Sequence, residues 1–197
     1  TFIDLFAGIG GTRLEFESAE GKCVLTSEWD PHAQRTYQAN FGELPAGDIT
    51  TIPTADIPDF DVLLAGFPCQ PFSSIGRRQG FLHETQGTLF YDVARIIKDK
   101  RPKAFLLENV PGLLTHDKGK TFEIIRDTLR ELGYTVDYKV LNSADFGVPQ
   151  QRKRIYIVGF RTENVGDSFQ FSFPEGKKRP RYINEFLEKD AVGYSIS

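Results

Sequence analysis

The sequence predicts an α/β fold built on a mostly parallel sheet with helices on both faces. Short apolar runs alternate with segments of helical pattern up to about residue 161. Several runs, such as VLLAGF at 62–67, are continuously apolar, which is typical of strands buried on both faces of a parallel sheet. A glycine-rich turn at 7–11 joins the first run to the first helical segment. Strands that alternate with helices in this way build βαβ units.

The first half of the chain supplies three predicted strands and two predicted helices. Asp30 is a favourable N-cap and Pro31 a favourable first helical residue, so the second helix has a well-marked start. The predicted strands are 1–6, 22–29 and 61–67, and the predicted helices are 12–19 and 30–41.

The second half continues the alternation and then loses it. Gly133 closes the second of two amphipathic helices, because glycine tolerates the backbone that ends a helix. The pattern decays after about residue 161, and residues 172–181 have the composition of a connector. The predicted helices are 87–100 and 120–133, and the predicted strands are 103–110, 134–142 and 154–160.

Composition excludes several classes of protein. A chain of 197 residues with 40% apolar and 26% charged residues can bury a core as one domain. Its net charge of −3 argues against a general cationic coat, so an anionic partner must meet a local basic patch. Two cysteines cannot form a zinc cluster or a disulfide scaffold, which fits a reducing cytosol. No apolar run approaches the roughly 20 residues of a membrane span, and no signal peptide opens the chain.

One cysteine occupies an unusual position. Cys69 lies in AGFPCQPFS, between Pro68 and Pro71 and directly after an apolar run. A packing cysteine normally sits inside a strand or helix, whereas these prolines stiffen the backbone around the thiol. A stiffly held thiol at a strand exit fits a nucleophile, a metal ligand or a packing residue.

Polar and glycine residues collect near the predicted strand ends. In open α/β sheets ligands bind outside the carboxyl ends of the strands, so we expect these residues to converge on one cleft. The residues concerned are Asp4, Gly8, Gly10, Glu28, Asp48, Cys69 and Glu108.

The glycine turn is compatible with close approach of backbone to a ligand at a helix N-terminus. It lacks the GxGxxG pattern, because Arg13 stands where a third glycine would be. This weakens a dinucleotide interpretation and leaves a simple tight turn as an alternative. Glu28 follows about 20 residues later, where a carboxylate suits ribose hydroxyls.

Two further residues near this cleft have both a binding and a structural interpretation. Trp29 could stack on an adenine ring or simply pack. Asp48 in GDIT could accept from an exocyclic amine or cap a turn.

A carboxylate and a basic segment follow later in the chain. Glu108 comes after a strongly buried run, where an unpaired carboxylate is costly, so it is either paired structurally or held for chemistry. The spacing of Gln150, Arg152 and Arg154 places all three on one face of an extended segment. Guanidinium groups suit phosphates and carbonyl oxygens, although a solvated strand face is equally compatible.

Together these stretches resemble the cytosine-C5 DNA methyltransferases, and most closely the bacterial restriction-modification type. The matching elements, in order, are DLFAGIGG, the Glu28-Trp29 pair, GDIT, GFPCQPFS, GTLF, ENV and QQRKR. The resemblance implies a Rossmann-like, S-adenosylmethionine-dependent methyltransferase fold. It also implies transfer of a methyl group to C5 of a flipped-out cytosine in double-stranded DNA, through a covalent Cys69 adduct at C6.

The resemblance implies a set of cofactor-binding residues. Glu28 would hold the ribose hydroxyls, Trp29 would pack on the adenine, and Asp48 with Ile49 would read the adenine edge. Pro68 and Leu89 would line the methionine side. Phe6 and three glycines would shape the pocket, the glycines being Gly8, Gly10 and Gly11.

The resemblance also implies catalytic and substrate-binding residues. Cys69 would be the nucleophile, and a protonated or proton-sharing Glu108 would grip the cytosine edge. Arg152 and Arg154 would orient the catalytic loop, the base and nearby phosphate. The implied substrate contacts are Gln150, Ser73, Arg77 and Arg78, the last three in a segment that we expect to form a lid.

The expected organisation is a catalytic domain at 1–161 that binds S-adenosylmethionine, followed by a connector at 162–197. That connector would lead to a target-recognition domain, which does not appear in this chain, and the family's terminal Asn-containing segment is not seen either. We therefore expect part of a longer bacterial cytoplasmic protein, with weak or no activity by itself. The complete protein would act on double-stranded DNA as a monomer without a metal.

Three alternatives remain open from the sequence. A tRNA cytosine-C5 methyltransferase would share the catalytic motifs and act on RNA. A binding module could keep the cofactor fold without catalysis, although Cys69, Glu108 and Arg154 argue against it. A nicotinamide oxidoreductase is disfavoured by the missing third glycine.

Overall fold

A computed structural model of the chain describes residues 1–68, 89–177 and 181–187. The strands in these ranges are β1 (Phe2–Leu5), β2 (Cys23–Ser27), β3 (Val62–Ala65), β4 (Ala104–Asn109), β5 (Tyr134–Asn142) and β6 (Lys153–Arg161). The α-helices are α1 (Gly11–Ser18), α2 (Pro31–Phe41), α3 (Leu89–Lys100), α4 (Lys120–Glu131) and α5 (Thr162–Val165).

The six strands form one sheet in the order β2-β1-β3-β4-β6-β5. The first four of these are parallel neighbours, whereas β6 is antiparallel to both β4 and β5. Because β5 therefore points the same way as β4, β6 is the single reversed strand of this sheet. The predicted α/β fold with a mostly parallel sheet is confirmed.

Side-chain alternation along β1 shows how the two faces of the sheet are covered. Ile3 and Leu5 are fully buried in a core that includes apolar residues of α3 and α4. Phe2 points to the opposite face, where its ring lies 5.5 Å from Phe16 of α1. Helices thus pack on both faces, which explains the continuously apolar strands.

The predicted start of α2 is confirmed in detail. Asp30 is the N-cap, and its carboxylate accepts hydrogen bonds from the backbone N–H groups of His32 and Ala33. Pro31 is the first helical residue. Gly133 follows α4 with a φ of 89°, a conformation that glycine adopts without steric cost.

The chain segment that follows β6 packs against the last two strands of the sheet, β6 and β5. The Phe160 ring lies 5.2 Å from Phe169 and 5.7 Å from Phe171. The N–H of Phe171 also donates to Asp137 on β5 at 2.6 Å. Residues 172–177 contain no helix or strand. The connector and the domain boundary at residue 161 stay predictions.

Two structural features are absent from the described ranges. No helix there is both long and apolar enough to cross a membrane. The same residues contain no group of three or more His, Cys, Asp or Glu side chains placed to hold a metal ion.

Candidate active site

A pocket of about 400 Å³ lies at the carboxyl ends of β1, β2 and β3. This is the position at which open α/β sheets bind ligands. Its walls come from five separate parts of the chain, which the sheet brings together. The lining residues are Phe6, Ser27, Glu28, Trp29, Gly47, Asp48, Ile49, Thr50, Pro68 and Leu89.

Seven of the ten residues predicted to bind the cofactor line this pocket. They are Phe6, Glu28, Trp29, Asp48, Ile49, Pro68 and Leu89. The sequence did not point to Ser27, Gly47 or Thr50, which complete the walls. The Ser27 hydroxyl donates to the Gly47 carbonyl at 2.6 Å and so holds the 47–50 segment beside the end of β2.

Gly8 and Gly10 lie in the turn that leads from Phe6 into α1, Gly11 is the first residue of α1, and none of the three lines the pocket. Gly8 has a φ of 57° and Gly10 a φ of 93°, both in the left-handed region that glycine favours. A Cβ on Gly10 would collide with the Phe41 ring of α2. The turn thus packs directly on α2, which leaves no room for a side chain.

The N-terminus of α1 has no side-chain cap hydrogen bond. Its first N–H groups therefore remain available to an anionic group such as a carboxylate. Phe6, which precedes the turn, has a φ of 58°. This left-handed conformation costs a non-glycine residue roughly 1–2 kcal/mol, and it places Phe6 in the pocket wall.

Glu28 is buried, with 7% of its surface exposed, and both of its carboxylate oxygens are engaged. Oε2 accepts from the N–H of Gly8 at 2.8 Å, and Oε1 accepts from the N–H of Asp30 at 2.8 Å. Each oxygen keeps capacity for another donor, because a carboxylate has about four acceptor sites. Glu28 therefore fastens the glycine turn to β2 while still facing the pocket.

The rim of the pocket combines an exposed indole with a capped turn. Trp29 is 68% exposed, which leaves a large flat apolar surface at the pocket edge. The Asp48 carboxylate accepts from the N–H of Thr50 at 2.9 Å, so Asp48 caps the short 3-10 turn Ile49–Thr51. The capping interpretation of Asp48 is thus correct, and its exposed carboxylate also borders the pocket.

Asp4 on β1 is a buried carboxyl close to this site. It is 1% exposed, and its Oδ2 has no hydrogen-bond partner. Burial raises the pKa of Asp4 to about 7, the nearby Arg13 guanidinium opposes this, and the Glu28 carboxylate adds to it. Asp4 therefore changes charge near neutral pH.

A second polar cluster lies where β4 ends. Arg154 Nε and Glu108 Oε1 form an ion pair at 2.7 Å, with 34% of the Glu108 side chain exposed. A Cβ built on Gly66 would lie 3.7 Å from Glu108 Oε2, so the carboxylate faces the exit of β3. Tyr156 is opposite Glu108 in the sheet, and burial raises the pKa of its phenol, with a smaller contribution from the Glu108 charge.

Asn109 is a site residue that sequence reasoning missed. Its side chain is buried, and Nδ2 donates to the Phe67 carbonyl at 2.9 Å. Oδ1 accepts from the N–H of Val110 at 2.8 Å. An amide directly after Glu108 in a buried strand was the available signal, since a buried amide must find partners. Asn109 ties the end of β4 to the exit of β3.

The remaining predicted site residues either precede β6 or lie outside the described ranges. Gln150 and Arg152 are exposed and precede β6, whereas Arg154 lies within this strand. The predicted common strand face therefore does not extend to Gln150 and Arg152. The Ser143 hydroxyl donates to the Gln150 carbonyl at 2.5 Å, which anchors this segment. Pro68 ends the first described range, and Cys69, Ser73, Arg77 and Arg78 all lie outside the described residues.

The fold is that of the S-adenosylmethionine-dependent methyltransferases. A solved structure of the Dnmt2 methyltransferase from S. pombe is similar to this chain, with a TM-score of 0.72 and 25% sequence identity. The match covers 96% of this chain and 61% of that one.

The particular family follows from the sequence. The family model for C-5 cytosine-specific DNA methylase matches residues 1–196, and the chain belongs to this family. Type II methyltransferase M.BsuFI of Bacillus subtilis is 59% identical over 100% of this chain and 48% of that relative. Type II methyltransferase M.SsoII of Shigella sonnei is 56% identical over 99% of this chain and 52% of that relative. The chain thus spans about half the length of these curated relatives.

Proposed function

We propose that the protein to which this chain belongs transfers a methyl group from S-adenosylmethionine to C5 of cytosine in double-stranded DNA. Like the Type II methyltransferases that it resembles, this protein would act in the bacterial cytoplasm, and it would act as a monomer. The observation that carries the proposal is the position of Phe67 and Pro68. Pro68 lines the pocket, Phe67 is bonded to Asn109 beside Glu108, and the next residue in the sequence is Cys69.

The pocket fits S-adenosylmethionine in its chemistry. Glu28 would accept from the ribose hydroxyls, Trp29 would cover the adenine, and Asp48 would accept from the exocyclic amine. The uncapped N–H groups of α1 suit a carboxylate at the other end of the ligand. When bound, the cofactor supplies the methyl group that C5 accepts.

Cys69 would activate the cytosine, because C5 is too weak a nucleophile by itself. The Cys69 thiolate forms a bond to C6, and the displaced electron pair makes C5 electron-rich as N3 gains a proton. After methylation, C5 loses its proton to water and N3 gives back the proton that it gained. The C5–C6 double bond re-forms, and the C6–S bond breaks with its electrons returning to sulfur. Cysteine suits both steps, since it is strongly nucleophilic near neutral pH.

Glu108 and Arg154 would hold the ring while its charge changes. A carboxyl group at the β4 end can donate or share the proton at N3, and a guanidinium stabilises negative charge on the ring. Their 2.7 Å ion pair keeps both groups on the same side of the strand exit. Arg152 and Gln150, together with Ser73, Arg77 and Arg78, would contact the DNA around the base.

The target cytosine must leave the base stack, because C5 and C6 are not accessible to a thiolate and a methyl donor within the duplex. The exposed Arg152 and Lys153 supply local positive charge beside the Glu108–Arg154 pair. Such a patch meets the phosphate backbone in a chain whose net charge is −3.

Covalent trapping tests this proposal in the full-length protein. DNA carrying 5-fluorocytosine at the target should trap the wild-type protein, because fluorine cannot leave as the C5 proton does. Cys69→Ser should form no adduct and should not methylate, since a serine hydroxyl is almost wholly protonated near pH 7.

Cys23→Ser is the matched control for the thiol. Burial raises the pKa of the Cys23 thiol to about 11, so it carries almost no thiolate at neutral pH, and its replacement should leave trapping intact. An adduct that maps to Cys23, or that forms equally well with Cys69→Ser, would show the proposal to be wrong. Methylation of tRNA instead of matched duplex DNA would favour the RNA alternative.

A further inference from the structure

We propose that Arg95 is a positioning residue that sets the adenine-facing wall of the pocket, an inference that rests on the proposed cofactor site. Arg95 lies on α3, away from the pocket lining, and sequence reasoning attached no role to it. Its guanidinium contacts the segment that contains Asp48 and Ile49, and Leu89 at the start of its own helix also lines the pocket. Arg95 therefore connects α3 to the 48–50 segment, and both contribute residues to the same pocket.

Three contacts from different nitrogens fix the Arg95 guanidinium. Nη2 donates to the Ile49 carbonyl at 2.6 Å, and Nη1 donates to Thr54 Oγ1 at 3.1 Å. Nε forms an ion pair with Asp92 Oδ1 at 2.9 Å, one turn earlier on α3. Bonds with a charged partner are stronger than neutral ones, and the planar fork orients all three at once.

The position of Ile49 makes this contact relevant to ligand recognition. Ile49 is 1% exposed and packs in the core, and it lines the pocket together with its neighbours Asp48 and Thr50. The Asp48 carboxylate is itself fixed by the N–H of Thr50. A shift of the Ile49 carbonyl would therefore move the capped turn as a unit, and with it the carboxylate proposed to accept from the adenine amine.

A lysine at position 95 cannot reproduce the three contacts of the Arg95 guanidinium. An ammonium group is a compact charge on a flexible stem, so it can reach one of the three acceptors but does not present a fork. Arg95→Lys should therefore keep the charge while losing most of the orientation. Arg95→Met removes the charge and all three contacts while retaining a long apolar stem.

The test compares two ligands in the full-length protein by calorimetry. S-adenosylhomocysteine carries the exocyclic amine, and S-inosylhomocysteine carries a carbonyl oxygen at the same position. The wild-type protein should prefer the adenosyl ligand, because Asp48 accepts from the amine and repels the carbonyl. Loss of the Arg95 contacts should weaken adenosyl binding about tenfold and reduce the preference between the two ligands.

Arg126→Met is the matched control, because Arg126 has a similar exposure and pairs with the neighbouring Asp127 on α4, outside the pocket. The exposed fractions of the two arginine side chains are 30% for Arg95 and 31% for Arg126. The control should leave both affinities and the preference unchanged. Arg95→Lys should recover less than half of the lost preference, measured in free energy.

The outcomes separate the inference from the proposed function. Equal weakening of both ligands by Arg95→Met, with the preference retained, would overturn the positioning role and leave only a general effect on stability. Unchanged affinities would overturn it as well. Failure of the wild-type protein to bind either ligand would instead contradict the proposed cofactor site, and the positioning role with it.

Discussion

Glu28→Gln should be a damaging substitution although it is nearly isosteric. Both Glu28 oxygens accept a backbone N–H at 2.8 Å, one from Gly8 and one from Asp30. A glutamine amide has one oxygen and one NH₂ group, so either orientation turns a donor toward a donor. The substitution therefore removes one hydrogen bond and sets the glutamine NH₂ group against a backbone N–H group. The other hydrogen bond remains but loses its charged acceptor.

The expected magnitude follows from burial and charge. A hydrogen bond to a charged group contributes about 1.5–3 kcal/mol, and Glu28 is only 7% exposed, so water replaces the lost partner poorly. We expect the free energy of unfolding to fall by about 2–3 kcal/mol. The glycine turn and the proposed ribose contact depend on the same carboxylate, so cofactor affinity should fall by about ten- to a hundredfold.

Two measurements on the full-length protein separate these effects. Urea unfolding without ligand gives the change in stability, and calorimetric titration with S-adenosylmethionine gives the change in affinity. Glu15→Gln, on the exposed surface of α1, is the matched control and should change stability by less than about 0.5 kcal/mol.

Two results would refute parts of this reasoning. A Glu28→Gln protein as stable as the wild type would show that the carboxylate does not hold the glycine turn. A protein that loses stability but binds the cofactor with unchanged affinity would reduce Glu28 to a structural residue.

Two further predictions concern buried polar groups. Asn109→Ala leaves the Phe67 carbonyl without its side-chain partner. We therefore expect methylation at saturating cofactor to slow by about tenfold or more, while cofactor affinity changes less than twofold. An unchanged methylation rate would contradict a positioning role for Asn109. Because the pKa of Asp4 is raised from 3.8 to about 7 in the folded protein, the folded state holds the extra proton and stability should decline as pH rises from about 4 to 7. Asp4→Asn should flatten this decline and be more stable than the wild type in urea unfolding at pH 8, and a less stable variant would contradict the burial argument.

The order of strands and helices could be predicted because its signals are local. Apolar periodicity, the Asp30–Pro31 helix start and the glycine turn depend on a few neighbouring residues each. Seven residues that the family resemblance assigned to the cofactor also line one pocket, since parallel strands deliver their carboxyl ends to one edge of the sheet, and their role in binding stays a prediction. The reversed direction of β6 could not be predicted, because no short-range signal in a strand determines its neighbours or its direction relative to them.

The sequence by itself thus determined the fold class and the chemical character of the site, because helix, strand and turn preferences are short-range properties. Only the tertiary structure decided which groups are paired. It joined Glu108 to Arg154 and Asn109 to Phe67, and it showed that Glu28 secures Gly8 as well as facing the pocket. These pairs are separated by 20 to 46 residues in the chain, and their contact depends on strand order and register, which act over the whole sheet.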